Sequence, residues 1–307
     1  MITEKIQLFK DNPYSNLLTY VLDAQISSKV RKKRPAIIIC PGGSYLFTAT
    51  KEGEPVASRF LAKGYHTFVL RYRTYYKERV TDVNQTPSIN ETAHYPEHVY
   101  DLMESIRIIK ENAEEWCIDT ENIFVLGFSA GAHVAASLGV KWDDDELLKR
   151  FDNEVNSTLF KPKGILLCYP LLNIQGLIDN LEKNTDPIIK QQANVINQAV
   201  FGIPNPTKAQ IDNAKIINCL RDDMPPVFLW HTYDDQITSA KDSAELVSEL
   251  IRHNVHCEFH MFAQGKHGMA LCDETSSSTL SDINKECAEW VKLADNWMKL
   301  QINENKE

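Results

Sequence analysis

Short apolar runs alternate along this chain with longer stretches in which apolar positions recur every three or four residues. Leu18 to Leu22 and Pro35 to Cys40 predict two early strands. His66 to Leu70, Ile123 to Phe128, Gly164 to Cys168, Val227 to Trp230 and His256 to Phe262 predict five more. Between them, Glu54 to Lys63 predicts a helix ended by Gly64, a residue suited to the left-handed turn that closes a helix. Val99, Leu102, Met103, Ile106 and Ile109 fall on one helical face, with Pro96 in the first turn. Ser239 to His253 predicts an amphipathic helix started by a Thr238 or Ser239 cap, and Lys285 to Leu300 predicts a C-terminal one. Strands alternating with helices imply an α/β chain with a mostly parallel central sheet and helices on both faces.

Two segments depart from this rhythm. Arg73 to Tyr95 is polar and irregular, and Trp142 to Lys163 with Asn173 to Arg221 carries charges and prolines without strand spacing. The second is expected to form a small cap-like elaboration, around residues 142–221, that shapes a pocket on an otherwise single domain over 1–307. With 307 residues, 43% of them hydrophobic, one large core is affordable and no second domain is required. No internal repeat is visible.

The formal charge of -9 argues against nucleic acid, whose binding needs clustered cations. The one basic run, Arg31-Lys32-Lys33-Arg34, reads as a solvated strand entrance. The N-terminal residues do not resemble a secretory signal, and no apolar run approaches a membrane span. Seven scattered cysteines without C-x-x-C spacing read as free thiols in a reducing cytoplasm. The expectation is a cytoplasmic protein that binds neither membrane nor nucleic acid; a homo-oligomer is left open.

The chemistry begins at Gly127-Phe128-Ser129-Ala130-Gly131, between the apolar run Ile123 to Leu126 and the small-residue stretch Ala132 to Leu138. A serine at a strand-to-helix turn with glycine on either side is the nucleophile elbow of an α/β-hydrolase fold, since larger flanking side chains would collide with neighbouring backbone. Serine needs a base, and the base needs a carboxylate to fix its tautomer. In this fold the order is Ser, acid, His. The loop after Val227 to Trp230 offers Asp235, with Asp234 as its competitor; Gly265-Lys266-His267-Gly268 after the last strand offers His267. His133, on the helix behind the elbow, reads as a structural hydrogen-bonder. The loop Cys40-Pro41-Gly42-Gly43-Ser44-Tyr45 stands where an oxyanion loop belongs, so backbone N–H groups of Gly43, Ser44 and Ala130 are the expected donors. No metal-ligand spacing such as H-E-x-x-H occurs.

Taken together, Pro41 to Tyr45, Glu52-Gly53-Glu54-Pro55-Val56, Arg71-Tyr72-Arg73, Gly127 to Gly131, His231-Thr232-x-Asp234-Asp235 and His267-Gly268 resemble the bacterial α/β-hydrolase carboxylesterases of the acetylesterase and acetyl xylan esterase-like group, related to hormone-sensitive-lipase-type esterases. The resemblance runs from about Pro35 to Trp297. It departs at Ser44, where the family often has a third glycine, and at Ile237-Thr238-Ser239 after the acid. It implies hydrolysis of short-chain esters, acetyl groups on carbohydrate such as xylo-oligosaccharides among them, by an intracellular serine esterase without cofactor. Bulky Tyr45 and Phe128 are then expected beside the substrate, and Arg71, Tyr72 and Arg73 are candidates for sugar contacts, although an arginine after a strand is more often a structural ion-pair donor. A prolyl-oligopeptidase-type peptidase, a thioesterase or perhydrolase, and a non-catalytic small-molecule receptor are the rival readings.

Overall fold

In the computed structural model, which describes residues 1–27, 30–78, 87–151 and 155–303, ten strands form one eight-stranded sheet and a small hairpin. Residues 79–86 and 152–154, parts of the two irregular segments, lie outside the described residues. The strands are β1 (Lys5–Phe9), β2 (Asn12–Tyr20), β3 (Gln25–Ser27), β4 (Val30–Arg31), β5 (Arg34–Cys40), β6 (His66–Arg71), β7 (Ile118–Phe128), β8 (Gly164–Cys168), β9 (Val227–Thr232) and β10 (Cys257–Phe262). Across the large sheet the order is β1-β2-β6-β5-β7-β8-β9-β10. β1/β2 and β2/β6 are antiparallel; every pair from β6 to β10 is parallel.

The central strands are apolar throughout because both faces are covered. In β5, Ile37 and Ile39 join the core beneath the helices Glu54–Leu61 and Trp290–Asn303, while Ala36, Ile38 and Cys40 join the core beneath Glu97–Glu111 and Ala130–Lys141. The polypeptide leaves β5 toward β6 on one side and returns to β7 on the other, with Cys40 opposite Gly127. That reversal opens a crevice at the carboxyl ends of β5 and β7, the usual ligand position in such sheets.

β1 and the β3–β4 hairpin go beyond the elements the apolar pattern predicts, and β2 starts earlier than its apolar run. In β2 the buried positions include Ser15, Asn16 and Thr19, so burial is not written in apolar residues there. Thr19 is satisfied by accepting the Glu4 N–H at 2.9 Å. The C-terminal helix comes as two pieces, Lys285–Ala288 and Trp290–Asn303.

The segment between β8 and β9 is helical: Ile174–Lys183, Pro187–Phe201 and Lys208–Ala214. The first buries Ile174, Leu177, Ile178 and Leu181, and the second answers with Ala193, Ile196, Ala199 and Val200. Asn180 Nδ2 donates to the Ile237 carbonyl at 3.1 Å, which ties this insert to the loop after β9. All seven cysteines are free thiols. Among the described residues no helix is long and apolar enough to cross a membrane.

Candidate active site

Ser129 ends β7 and starts the helix Ala130–Lys141 with φ 50° and ψ -117°. Such a conformation costs a serine ~1–3 kcal/mol and persists only where the surroundings impose it. They do so by contact: a Cβ on Gly127 would lie 2.3 Å from the Gly131 carbonyl oxygen, and one on Gly131 would lie 2.0 Å from that of Cys40. The Ser129 N–H donates to the Cys168 carbonyl at 3.0 Å, and its own carbonyl accepts from Leu171 at 3.0 Å.

Opposite Ser129 the loop after β5 curls through left-handed backbone at Gly43 (φ 126°), Ser44 (φ 55°) and Tyr45 (φ 64°). The N–H groups of Gly43, Ser44 and Ala130 donate to no protein acceptor among the described residues. Ala130 is also the first residue of its helix, where the dipole favours negative charge.

The loops after β9 and β10 bring the remaining groups. Ser129 Oγ lies 2.9 Å from His267 Nε2, and His267 Nδ1 lies 2.7 Å from Asp235 Oδ2. Asp235 Oδ1 accepts the N–H groups of Ile237 at 2.8 Å and Thr238 at 3.0 Å. Its Oδ2 also receives Thr238 Oγ1 at 3.1 Å and faces His231 Nε2 at 3.2 Å. An oxygen pair that only accepts is that of an ionised carboxylate. Burial pushes Asp235 up, but the charge of His267 and hydrogen bonds from His231 and His267 leave it well below the usual carboxylate range. For His267, burial disfavours the imidazolium, and the Asp235 carboxylate outweighs it, with Glu52 adding to the effect; the net direction is up.

The two aspartates part company here. Asp234 Oδ1 accepts the Gly265 N–H at 2.7 Å and so braces the loop that carries His267, while Asp235 faces the imidazole itself. His231 and Thr238, absent from the residues expected from sequence, hold Asp235; His231 Nδ1 is in turn 2.7 Å from Ser243 Oγ. His133 is a bridge in the core: Nδ1 accepts from the Tyr45 hydroxyl and Nε2 donates to the Ala214 carbonyl, both at 2.6 Å.

The expected substrate contacts need correction. Phe128 is fully buried, tilted against Tyr169 and edge-on to Trp290. Tyr45 is fully buried on His98 and His133, and Tyr72 spends its hydroxyl on the Pro41 carbonyl at 2.7 Å. With no surface to offer, these three support the site from the core instead of lining it. Arg73 pairs with Asp101 (Nη2–Oδ1 2.6 Å) and Glu97 (2.9 Å), whereas Arg71 is exposed at the end of β6.

Residues 22–250 match the BD-FAE family, well over half of the sequence. The chain belongs to the BD-FAE family. That match takes in Ser129 and Asp235 and ends before His267. Among solved structures, the carboxylesterase Cest-2923 from Lactobacillus plantarum WCFS1 superposes with a TM-score of 0.77 at 25% identity, covering 98% of each chain. An acetyl ester-xyloside bifunctional hydrolase from Caldicellulosiruptor lactoaceticus gives 0.71 at 28% identity, covering 96% of this chain and 95% of that one. The fold is that of the α/β hydrolases. A curated relative, endo-1,4-beta-xylanase B of Butyrivibrio fibrisolvens, is 26% identical over 242 residues, 79% of this chain. The chain spans only 33% of that relative's length.

Proposed function

We propose that this protein is a serine carboxylesterase that hydrolyses short-chain esters, acetyl groups on xylo-oligosaccharides among them, through Ser129, His267 and Asp235. The supporting observation is the unbroken relay from Ser129 Oγ through His267 to Asp235, with unengaged N–H donors beside the serine. His267 Nε2 takes the Ser129 proton as Oγ attacks the ester carbonyl. The oxyanion is held by the N–H groups of Ala130, Gly43 and Ser44, and His267 then protonates the leaving alcohol. Water repeats the sequence on the acyl-enzyme and frees the acid. Asp235 holds the tautomer that points Nε2 at the serine and stabilises the imidazolium. No cofactor enters any step.

The acetyl and xylan element rests on the acetyl ester-xyloside hydrolase, whose name joins ester and xyloside chemistry, and on the xylanase relative, named for xylan alone. The buried Tyr45 and Phe128 do not themselves limit acyl size. Rates on 4-nitrophenyl esters from acetate to decanoate test this, beside Ser129→Ala and acetate release from acetylated xylo-oligosaccharides. The expected result is a rate that falls with chain length, a loss of about three orders of magnitude or more in the variant, and release of acetate from the sugar. A rate that climbs toward decanoate overturns the acetyl preference; an intact protein inactive on every ester overturns the esterase reading.

A further inference from the structure

Beneath the serine and histidine lies a third acidic side chain that the relay does not use. Glu52 is buried, and both of its oxygens are engaged: Oε2 accepts the Gly42 N–H at 2.7 Å and Oε1 accepts the Tyr169 hydroxyl at 2.8 Å. Both bonds point to the oxygens and so favour the ionised carboxylate; burial, the larger influence, still pushes Glu52 above the usual carboxylate range, against the bonds from Tyr169 and Gly42 and the charge of His267. The Tyr169 hydroxyl also accepts the Ala270 N–H at 3.0 Å, on the loop that carries His267. The Tyr169 ring stands edge-on to the His267 ring at 5.0 Å, and its carbonyl oxygen lies 3.3 Å from Thr238 Oγ1, whose proton goes to Asp235. One carboxylate therefore fastens together the oxyanion loop, the end of β8 and the histidine loop. Gly42 itself lies so close that a Cβ there would sit 2.8 Å from Ser129 Cβ.

Resting on the esterase reading above, we infer that Glu52 is a positioning residue. Its carboxylate sets the oxyanion loop through Gly42 and, with Tyr169, holds His267 while adding negative charge that favours the imidazolium formed in the reaction. The charge adds to that of Asp235 in a site where little water screens it. The groups facing Glu52 and His267 are His231 near the end of β9, Asp235 from the loop after it, Tyr169 and Cys168 at the end of β8, Tyr72 after β6, and Lys51 in the turn of Glu52 itself. Lys51, whose Nζ lies 3.4 Å from Asp282 Oδ2, is the cation among them that opposes the effect on His267.

The experiment compares wild type, Ser129→Ala, Glu52→Gln, Glu52→Asp and Tyr169→Phe on 4-nitrophenyl acetate, with kcat, KM and the pH profile of kcat/KM for each. In Glu52→Gln the acid limb is expected to move to lower pH by about half a unit or more, because the base has lost a charge that favoured its protonated form. Its kcat is expected to fall at least ~10-fold with KM nearly unchanged. Glu52→Asp keeps the charge and should return the limb toward the wild-type position. A merely structural role would lower kcat without moving the limb. An active wild type whose folded Glu52→Gln variant keeps kcat within about twofold and leaves the limb in place overturns this inference alone. A wild type as inactive as Ser129→Ala overturns the esterase reading beneath it. If Glu52→Gln fails to fold, Tyr169→Phe decides: a several-fold drop in kcat at constant KM is expected, and wild-type kcat overturns the inference.

Discussion

Phe128 precedes Ser129 by one position, yet the alternation of a strand sends its ring into the core with Trp290. Asp235 and Asp234 are adjacent, yet one faces His267 and the other braces Gly265. Asp235→Asn is therefore expected to lower kcat by about three to four orders of magnitude, the size of effect that follows loss of the histidine's orienting carboxylate. Asp234→Asn should stay within about tenfold, because it loosens only the loop. Steady-state kinetics of both variants separates them, and the reverse ranking would move the acid to Asp234. A pH profile follows from the upward direction of His267: the base must be neutral to accept the serine proton, so the acid limb of kcat/KM is expected above the free imidazole value of about 6.5. A limb below that value would contradict the electrostatics described. That Ser129, Asp235 and His267 come within hydrogen-bonding distance of one another could be expected from sequence because each follows an apolar run. Glu52 and His231 stood in the motifs without a role: Glu52 meets Gly42 and Tyr169 only when separate loops fold together, whereas His231 and Thr238 lie within four residues of Asp235 and the turn that joins them is not written in apolar spacing.

At the scale of elements, apolar runs marked β5 to β9, because strands covered on both faces have few polar positions, while β10, at the sheet edge, was still readable despite Glu258 and His260. The antiparallel edge was harder to read: β1 buries only Leu8 fully, and β2 buries Ser15, Asn16 and Thr19. The insert between β8 and β9 was expected only as an interruption, although Ile174, Leu177, Ile178 and Leu181 recur at the spacing of one helical face and carried the signal for its first helix. The elbow is the element most exposed to a single methyl group. In Gly131→Ala the added carbon meets backbone, at 2.0 Å from the Cys40 oxygen, so the turn itself must shift. The expected result is a loss of about 3 kcal/mol or more in stability, with esterase activity lowered ~100-fold. Thermal melting and kcat measured together check it; a variant with wild-type values for both would show that the elbow has slack.

For the whole molecule, the two-faced core gathers several buried imidazoles that bear on acid stability. His66 accepts the Leu22 N–H at 3.1 Å and faces the Cys117 carbonyl at 3.3 Å; His133 bridges Tyr45 and Ala214. Burial pushes both down to about 4. Between that value and the ordinary 6.5, the unfolded chain takes up protons that the folded chain refuses, so stability falls as pH drops through this window. Each contributes on the order of 3 kcal/mol to the fall. Melting curves from pH 7 to 4 should show a steep decline that becomes shallower in His66→Gln and in His133→Gln; unchanged slopes would contradict the assignment. The central claim, that Ser129 is a nucleophile activated by its neighbours, is tested most directly by covalent capture. The protein is incubated with diethyl 4-nitrophenyl phosphate, which a reactive serine attacks at phosphorus with release of nitrophenolate, and the adduct is mapped by mass spectrometry. The account expects one diethylphosphoryl group per chain, on Ser129, with esterase activity lost in step and no adduct in His267→Ala. An unlabelled Ser129, or a label on another residue that removes activity, would contradict it.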